Sequence, residues 1–149
     1  MQTYSDNKYI YSVDMMFAYL YLHKPHYQKI KVSDLINNLN YNCWGDPINH
    51  VYHTPNDVIN SPTKYESDYK RIKGADLSYP IIITHDMFVI DGMHRLTKSH
   101  LEGKKTIKAY VFDNHLLRKF KLANRTEWGK VDKIKSYQLI ILFNKKFNT

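Results

Sequence analysis

The sequence predicts an α+β fold, a single domain with a small mixed sheet and flanking helices. Three observations carry that prediction. The run from Pro80 to Ile90 holds two apolar segments, Ile81 to Ile83 and Met87 to Ile90, around the polar tip His85-Asp86, which is the pattern of a tight hairpin. Leu96 and the pair His100/Leu101 then fall at helical spacing and Gly103 supplies a stop, so a helix follows the hairpin directly. After the basic link Lys104-Lys105, Ile107 to Phe112 reads as a strand, giving strand, helix and strand in the order of a crossover unit.

The remaining elements follow from local signals. Ser12 is placed to cap a first helix in which Val13, Met16, Phe17 and Leu20 recur at i, i+3, i+4 and i+7. The alternation Val13, Met15, Phe17, Tyr19 supports a strand equally, and Pro25 ends either one. Ile30-Lys31-Val32 reads as a short strand, with Ser33 capping a brief helix that carries Leu35, Ile36 and Leu39. Asn40 to Pro55, rich in Asn, Gly, Pro, His and Asp, reads as a long irregular loop. Thr54-Pro55 and Ser61-Pro62 are two cap-plus-proline helix starts, the second leading a helix with Tyr65, Tyr69 and Ile72 on one face and its end at Gly74. From Asn114 onward the chain reads as helical, with Trp128, Val131, Ile134 and Tyr137 as one docking stripe and Lys130, Lys133 and Lys135 toward solvent.

Composition bounds the partners. A chain of 149 residues can bury a real core without staples, and the single cysteine, Cys43, excludes an internal disulfide framework. These features, with no export signal and no apolar run long enough to span a bilayer, predict an intracellular, cytoplasmic protein with no membrane partner. The formal charge of +8 and pI near 9.4 suit a polyanion such as a nucleotide, DNA or RNA. The excess is carried far more by Lys than by Arg, which argues against sequence-specific base reading.

The chemistry concentrates where the second hairpin strand turns into the helix, at Asp91-Gly92-Met93-His94-Arg95. Backbone amides after Gly92 sit at a helix N-terminus, where free N–H groups and aligned peptide dipoles favour phosphate or carboxylate. His94 and Arg95 add donors in the same turn, and Lys98 follows one turn on.

Taken with its flanks, Pro-Ile-Ile-Ile before and Glu-Gly-Lys-Lys-Thr-Ile-Lys-Ala-Tyr-Val-Phe after, the Val-Ile-Asp-Gly-Met-His-Arg-Leu run resembles the ParB/sulfiredoxin-like domain. Ile30 to Leu35 is similar to that domain's opening strand, and Ser61 to Gly74 takes the place of its intervening helix. The likeness covers about 30–112, leaving 1–29 as an N-terminal element and 113–149 as a helical extension. It implies binding of ATP or CTP, with Mg²⁺, through Gly92, Met93, His94, Arg95 and Lys98. It implies Asp91 and His94 as catalytic groups, with Asp91 on the metal. Met93 stands where the reductase branch has its nucleophilic cysteine, and a thioether forms no thiolate, so sulfinic-acid reduction is not expected. Met93-His94-Arg95 also breaks the Glu-Arg-Arg run of the partition proteins, and Asn37 to Asn40 lacks the upstream Glu of the kinase branch. The expected function is a Mg²⁺-dependent NTPase or phosphotransferase. A metal-dependent DNA nuclease and a non-catalytic nucleic-acid-binding module of the same fold are the alternatives. The Cys43-Trp44-Gly45-Asp46 segment and the helical tail resemble proteins of large DNA viruses.

Plainer readings stand beside these. Asp91 and Arg95 can form one structural ion pair, His50 and His53 read as ordinary loop histidines rather than metal ligands, and Cys43 reads as a small buried hydrophobe. Lys104-Lys105 and Lys145-Lys146 read as solvated ends of elements.

Overall fold

The computed structural model describes residues 1–147 and is α+β, as the sequence predicts. Asn148 and Thr149, the end of the expected helical extension, lie outside the described residues. The first half runs β1 (Thr3–Ser5), β2 (Tyr9–Ser12), α1 (Val13–His23), β3 (Gln28–Lys31), a 3-10 helix (Val32–Asn40), β4 (Trp44–Asp46), β5 (Val51–His53), α2 (Pro55–Asn60) and α3 (Glu66–Gly74). The second half runs β6 (Ile81–Thr84), β7 (Val89–Asp91), α4 (Met93–Leu101), β8 (Thr106–Phe112), α5 (Asn114–Arg118), β9 (Lys121–Asn124), α6 (Trp128–Asp132) and α7 (Ser136–Phe147). Two compact units result, one formed by Tyr27–Val111 and the other by Met1–His26 with the chain from Phe112 onward. No helix among the described residues is long and apolar enough to cross a membrane.

The unit containing both termini is built on the sheet β1-β2-β9. Asp6 organises the β1–β2 turn by accepting from the Lys8 and Tyr9 amides, both at 2.8 Å, and from the Tyr11 hydroxyl at 2.7 Å. Ser12 Oγ accepts from the Met15 amide, so the ambiguous Val13–Tyr19 stretch is a helix, with Val13, Met15 and Met16 buried. Tyr19 packs on Phe112, Phe120 and Phe147. The tail is not helical throughout, because β9 interrupts it and pairs antiparallel with β2. The predicted stripe from Trp128 to Tyr137 is broken, with Trp128 and Val131 in α6, Ile134 between the helices and Tyr137 in α7, and of its members only Val131 is buried.

The Tyr27–Val111 unit carries the sheet β3-β8-β6-β7. Ile81, Ile83, Leu96, Ile107 and Ala109 pack with Val32, Leu35 and Leu39 into its core. The strand, helix and strand β7-α4-β8 are present in the predicted order, but β8 adds beside β6 rather than beside β7. The hairpin tip is longer than predicted. Met87 lies in the turn with φ +70 rather than in a strand, and the Thr84 hydroxyl and carbonyl hold the turn by accepting from the Phe88 and Met87 amides. Asn38, buried on the 3-10 helix, fastens that tip, since its Nδ2 donates to the Leu35 and Met87 carbonyls and its Oδ1 accepts from Val89 N.

Three further expectations are corrected. Ser33 does not cap, because the helix starts at Val32, two residues before the start a Ser33 cap implies, and the Val32 amide donates to Lys105 O as the strand ends. Asn40 to Pro55 is not all loop, because its turn-forming residues close a hairpin in which Trp44 pairs with His53 and Asp46 with Val51. Ser61 closes α2 by donating its amide to Asp57 O, so Pro62 lies in a turn and α3 begins at Glu66. The Thr54-Pro55 start is as predicted, with a full capping box between Thr54 and Asp57.

Candidate functional site

Asp91 ends β7, and Ile90 is an extra residue between the pairs Ile82–Asp91 and Ile83–Val89, a bulge immediately before the turn. Gly92 takes φ +109 and starts α4 with no side-chain cap. A Cβ here would lie 2.3 Å from Ile81 Cγ2 and 2.7 Å from Ile81 Cβ. The glycine is therefore required by the core strand beneath it and by its backbone conformation. The first bond of the new helix runs from Leu96 N to Gly92 O, which leaves the amides of Met93, His94 and Arg95 ahead of it.

The side chains expected to face phosphate diverge from one another. Arg95 is half-sequestered in the fold, where Nη1 donates to the Tyr79 and Pro80 carbonyls at 3.1 and 2.9 Å and Nη2 to Asp91 Oδ2 at 2.9 Å. The plainer reading of Asp91 and Arg95 as an ion pair is thus what the fold contains. Lys98 Nζ donates to Ala75 O at 2.7 Å. Met93 packs against the core cluster.

His94 instead reaches Trp44 and Asp68, two residues that line a cleft. Its ring stacks on Trp44 with centroids 4.3 Å apart and planes within 14°, and its Nε2 lies 3.3 Å from Asp68 Oδ1. The other oxygen of Asp68 accepts from His53 Nε2 at 2.7 Å, and the His53 ring stacks on Tyr65 at 4.3 Å. One carboxylate on α3 therefore holds two imidazoles, from β5 and from α4. The adjoining cleft, about 540 Å³, is lined by Trp44, Asp46, His53, Ser67, Asp68 and Arg71 among others. Burial holds the His94 imidazole below the usual histidine range, with Arg71 and Arg95 acting in the same direction and Asp68 opposing them. A neutral His94 that donates its Nε2 proton to Asp68 presents Nδ1 as an acceptor.

Sequence reasoning missed Trp44, Asp68 and Arg71. A signal for Asp68 was present: Tyr65, Asp68 and Ile72 stand at i, i+3 and i+7, so a carboxylate occupies the inward stripe of α3 and needs a partner there. His53, set aside as a loop histidine, is one of the two partners. His50 lies in the β4–β5 turn with φ +54, and Cys43, expected to be buried, is exposed beside the cleft mouth. Among the described residues no three His, Cys, Asp or Glu side chains converge to hold a metal ion. Comparison of the chain with protein-family models, with curated proteins and with solved structures gives no match.

Proposed function

We propose that the Tyr27–Val111 unit binds a nucleoside triphosphate, ATP or CTP, with its phosphates at the start of α4, and hydrolyses it or transfers its terminal phosphoryl group. One observation carries this reading: the helix start without a side-chain cap lies in the same turn as His94, whose ring leans on Trp44 beside a cleft that also holds Arg71. Amides of Met93 to Arg95 favour anionic oxygens, and Arg71 is the cation lining the cleft. His94 Nδ1 would take the proton of an attacking hydroxyl, and Asp68 would steady the imidazolium that forms. Arg95 and Lys98, tied to carbonyls, act here as the frame of the turn rather than as phosphate ligands.

The residues present do not suit a resident Mg²⁺. Asp91 is the one carboxylate expected to hold it, and Arg95 already pairs with that carboxylate.

Calorimetric titration with ATP and with CTP tests the reading. Binding heat is expected for the unaltered protein and is expected to be lost in His94→Gln and in Arg71→Ala. Absence of heat with any nucleoside triphosphate, or binding undiminished in both variants, removes the proposal. Arg95→Ala is a poor test, because it strips two carbonyls and a carboxylate of their donor whatever the function.

The engagement of Arg95 and Lys98 favours a second reading, a non-catalytic nucleic-acid-binding module. DNA binding without nucleotide turnover supports it. Nicking of plasmid that His94→Gln abolishes points instead to a nuclease.

A further inference from the structure

At the other end of α4 from Gly92, the outer face of the β3–β8 pair gathers lysines. The antiparallel register sets Lys29 opposite Lys108 and Lys31 opposite Thr106, with Ile30 and Ile107 between them packed at the core. Side chains alternate along strands, so Lys29 and Lys31 share the outward face with Thr106 and Lys108. Tyr27 joins them, since its ring lies 5.2 Å from Lys108 Nζ and is 44% exposed.

Like charges directly opposite each other destabilise a strand pair. Edge strands do carry lysines to block edge-to-edge aggregation, and β3 is an edge strand. That role accounts for Lys29 and Lys31. It does not account for Lys108, which is on the inner strand β8, or for Lys104 and Lys105, which lie in the α4–β8 turn and line the adjoining clefts. Two neighbouring clefts of about 750 and 220 Å³ share Lys104 and Thr106 in their walls. Lys31, Lys105 and His100 line the larger, and Lys29 and Lys108 the smaller. Glu102, in the turn between, lines neither. Among the described residues none of these five lysines is in an ion pair.

We propose that this face binds a single nucleic-acid strand, with phosphates along the lysines and a base stacked on Tyr27. Lys29 and Lys31, two residues apart on a strand, stand roughly 7 Å apart, a pitch suited to successive phosphates. Lysine supplies point charge without bidentate base reading, and one exposed ring stacks on any base, so the binding is indifferent to sequence. The site is separate from the α4 start and does not depend on nucleotide binding there.

Fluorescence anisotropy with labelled oligo-dT and oligo-U of twenty nucleotides, across a salt series, reads the proposal and separates DNA from RNA. Five phosphate contacts give a log–log salt slope of about −3.5, so affinity falls about 100-fold between 50 and 200 mM salt. The double variant Lys29→Ala/Lys108→Ala is expected to shallow that slope by about 1.4 and, having lost a like-charge pair, to melt no lower than the unaltered protein. Tyr27→Ala weakens binding without changing the slope. Lys133→Ala/Lys135→Ala, in the other unit, leaves the slope unchanged. Three results would overturn the proposal: no binding at 50 mM salt, equal loss from the Lys133/Lys135 variant, or binding to anionic phospholipid vesicles without binding to either oligonucleotide.

Discussion

Replacing Gly92 with alanine is the sharpest probe of how the turn is built. The added Cβ would sit 2.3 Å from Ile81 Cγ2 and 2.7 Å from Ile81 Cβ, and Ile81 is fully buried. Holding a non-glycine residue at φ +109 costs roughly 1–3 kcal/mol. Overpacking a closed core adds about 1–3 kcal/mol, while the stiffer unfolded chain returns about 0.4–1 kcal/mol. The net expectation is a loss of about 2–5 kcal/mol, read as a lower urea midpoint at unchanged slope. A double-mutant cycle isolates the Ile81 Cγ2 contact. Ile81→Ala removes Cγ2 and is itself costly, by about 2–5 kcal/mol, but in that background the Gly92→Ala penalty should shrink by about 1–2 kcal/mol, leaving the backbone part and the contact with the Cβ that alanine keeps. A Gly92→Ala loss below about 1 kcal/mol, or one of equal size in both backgrounds, would refute the argument that Ile81 dictates the glycine.

Two other expectations follow from the same unit. Asn38→Ala strips the Met87 carbonyl and the Val89 amide of their side-chain partner and should cost roughly 2–4 kcal/mol; Asn38→Asp, which sets a carboxylate oxygen against the Leu35 and Met87 carbonyls, should cost more, and denaturant titration that ranks Asp above Ala in stability contradicts the amide orientation described above. His94 has a lowered pKa in the fold, so below the unfolded value near 6.5 the unfolded chain holds the extra proton and stability falls as pH falls. His94→Gln removes that dependence, and the stability difference between the unaltered protein and the variant should therefore shift against the unaltered protein from pH 7 to 5.5; a shift in its favour on acidification would mean that Asp68 outweighs burial at this ring.

The elements that were legible are those whose signals are local. Ser12, Thr54 and Gly103 act within a turn of their own position, and α1, α2 and α4 begin or end where those residues indicate. The β-branched run Ile81–Ile83 likewise needs no partner to be read as a strand. The errors lie where a residue type has two local uses. Ser61 before Pro62 reads as a helix start, yet the same serine amide can close the preceding helix, and the α2 carbonyl at Asp57 claims it. Asn, Gly and Pro between residues 40 and 55 read as loop, although Pro47 and Asn49 form the turn of a hairpin of three-residue strands; Gly45, whose missing Cβ admits Val51 O, is part of that pairing. Of the partners of Arg95 only Asp91 was readable, because the others are main-chain carbonyls at Tyr79 and Pro80, which no side-chain pattern announces.

That distinction bears on which residues carry function. Asp91, Gly92, Arg95 and Lys98 each serve the architecture of the turn. Gly92 clears Ile81, Arg95 ties Asp91 to the segment entering β6, and Lys98 holds the end of α3 at Ala75. Any chain turning from this strand into this helix over a buried isoleucine has use for them, so their presence says little about chemistry. His94, Asp68 and His53 are different. None is needed to make the turn, and joining them buries polar groups that a plain α+β core would replace with apolar ones. Two imidazoles on one carboxylate, each stacked on an aromatic ring, form a satisfied polar network that the turn itself does not require. The proposed function of the Asp91–Arg95 segment therefore rests on His94, the side chain not tied into the turn, and on a network supplied by β4, β5 and α3 far from it in sequence.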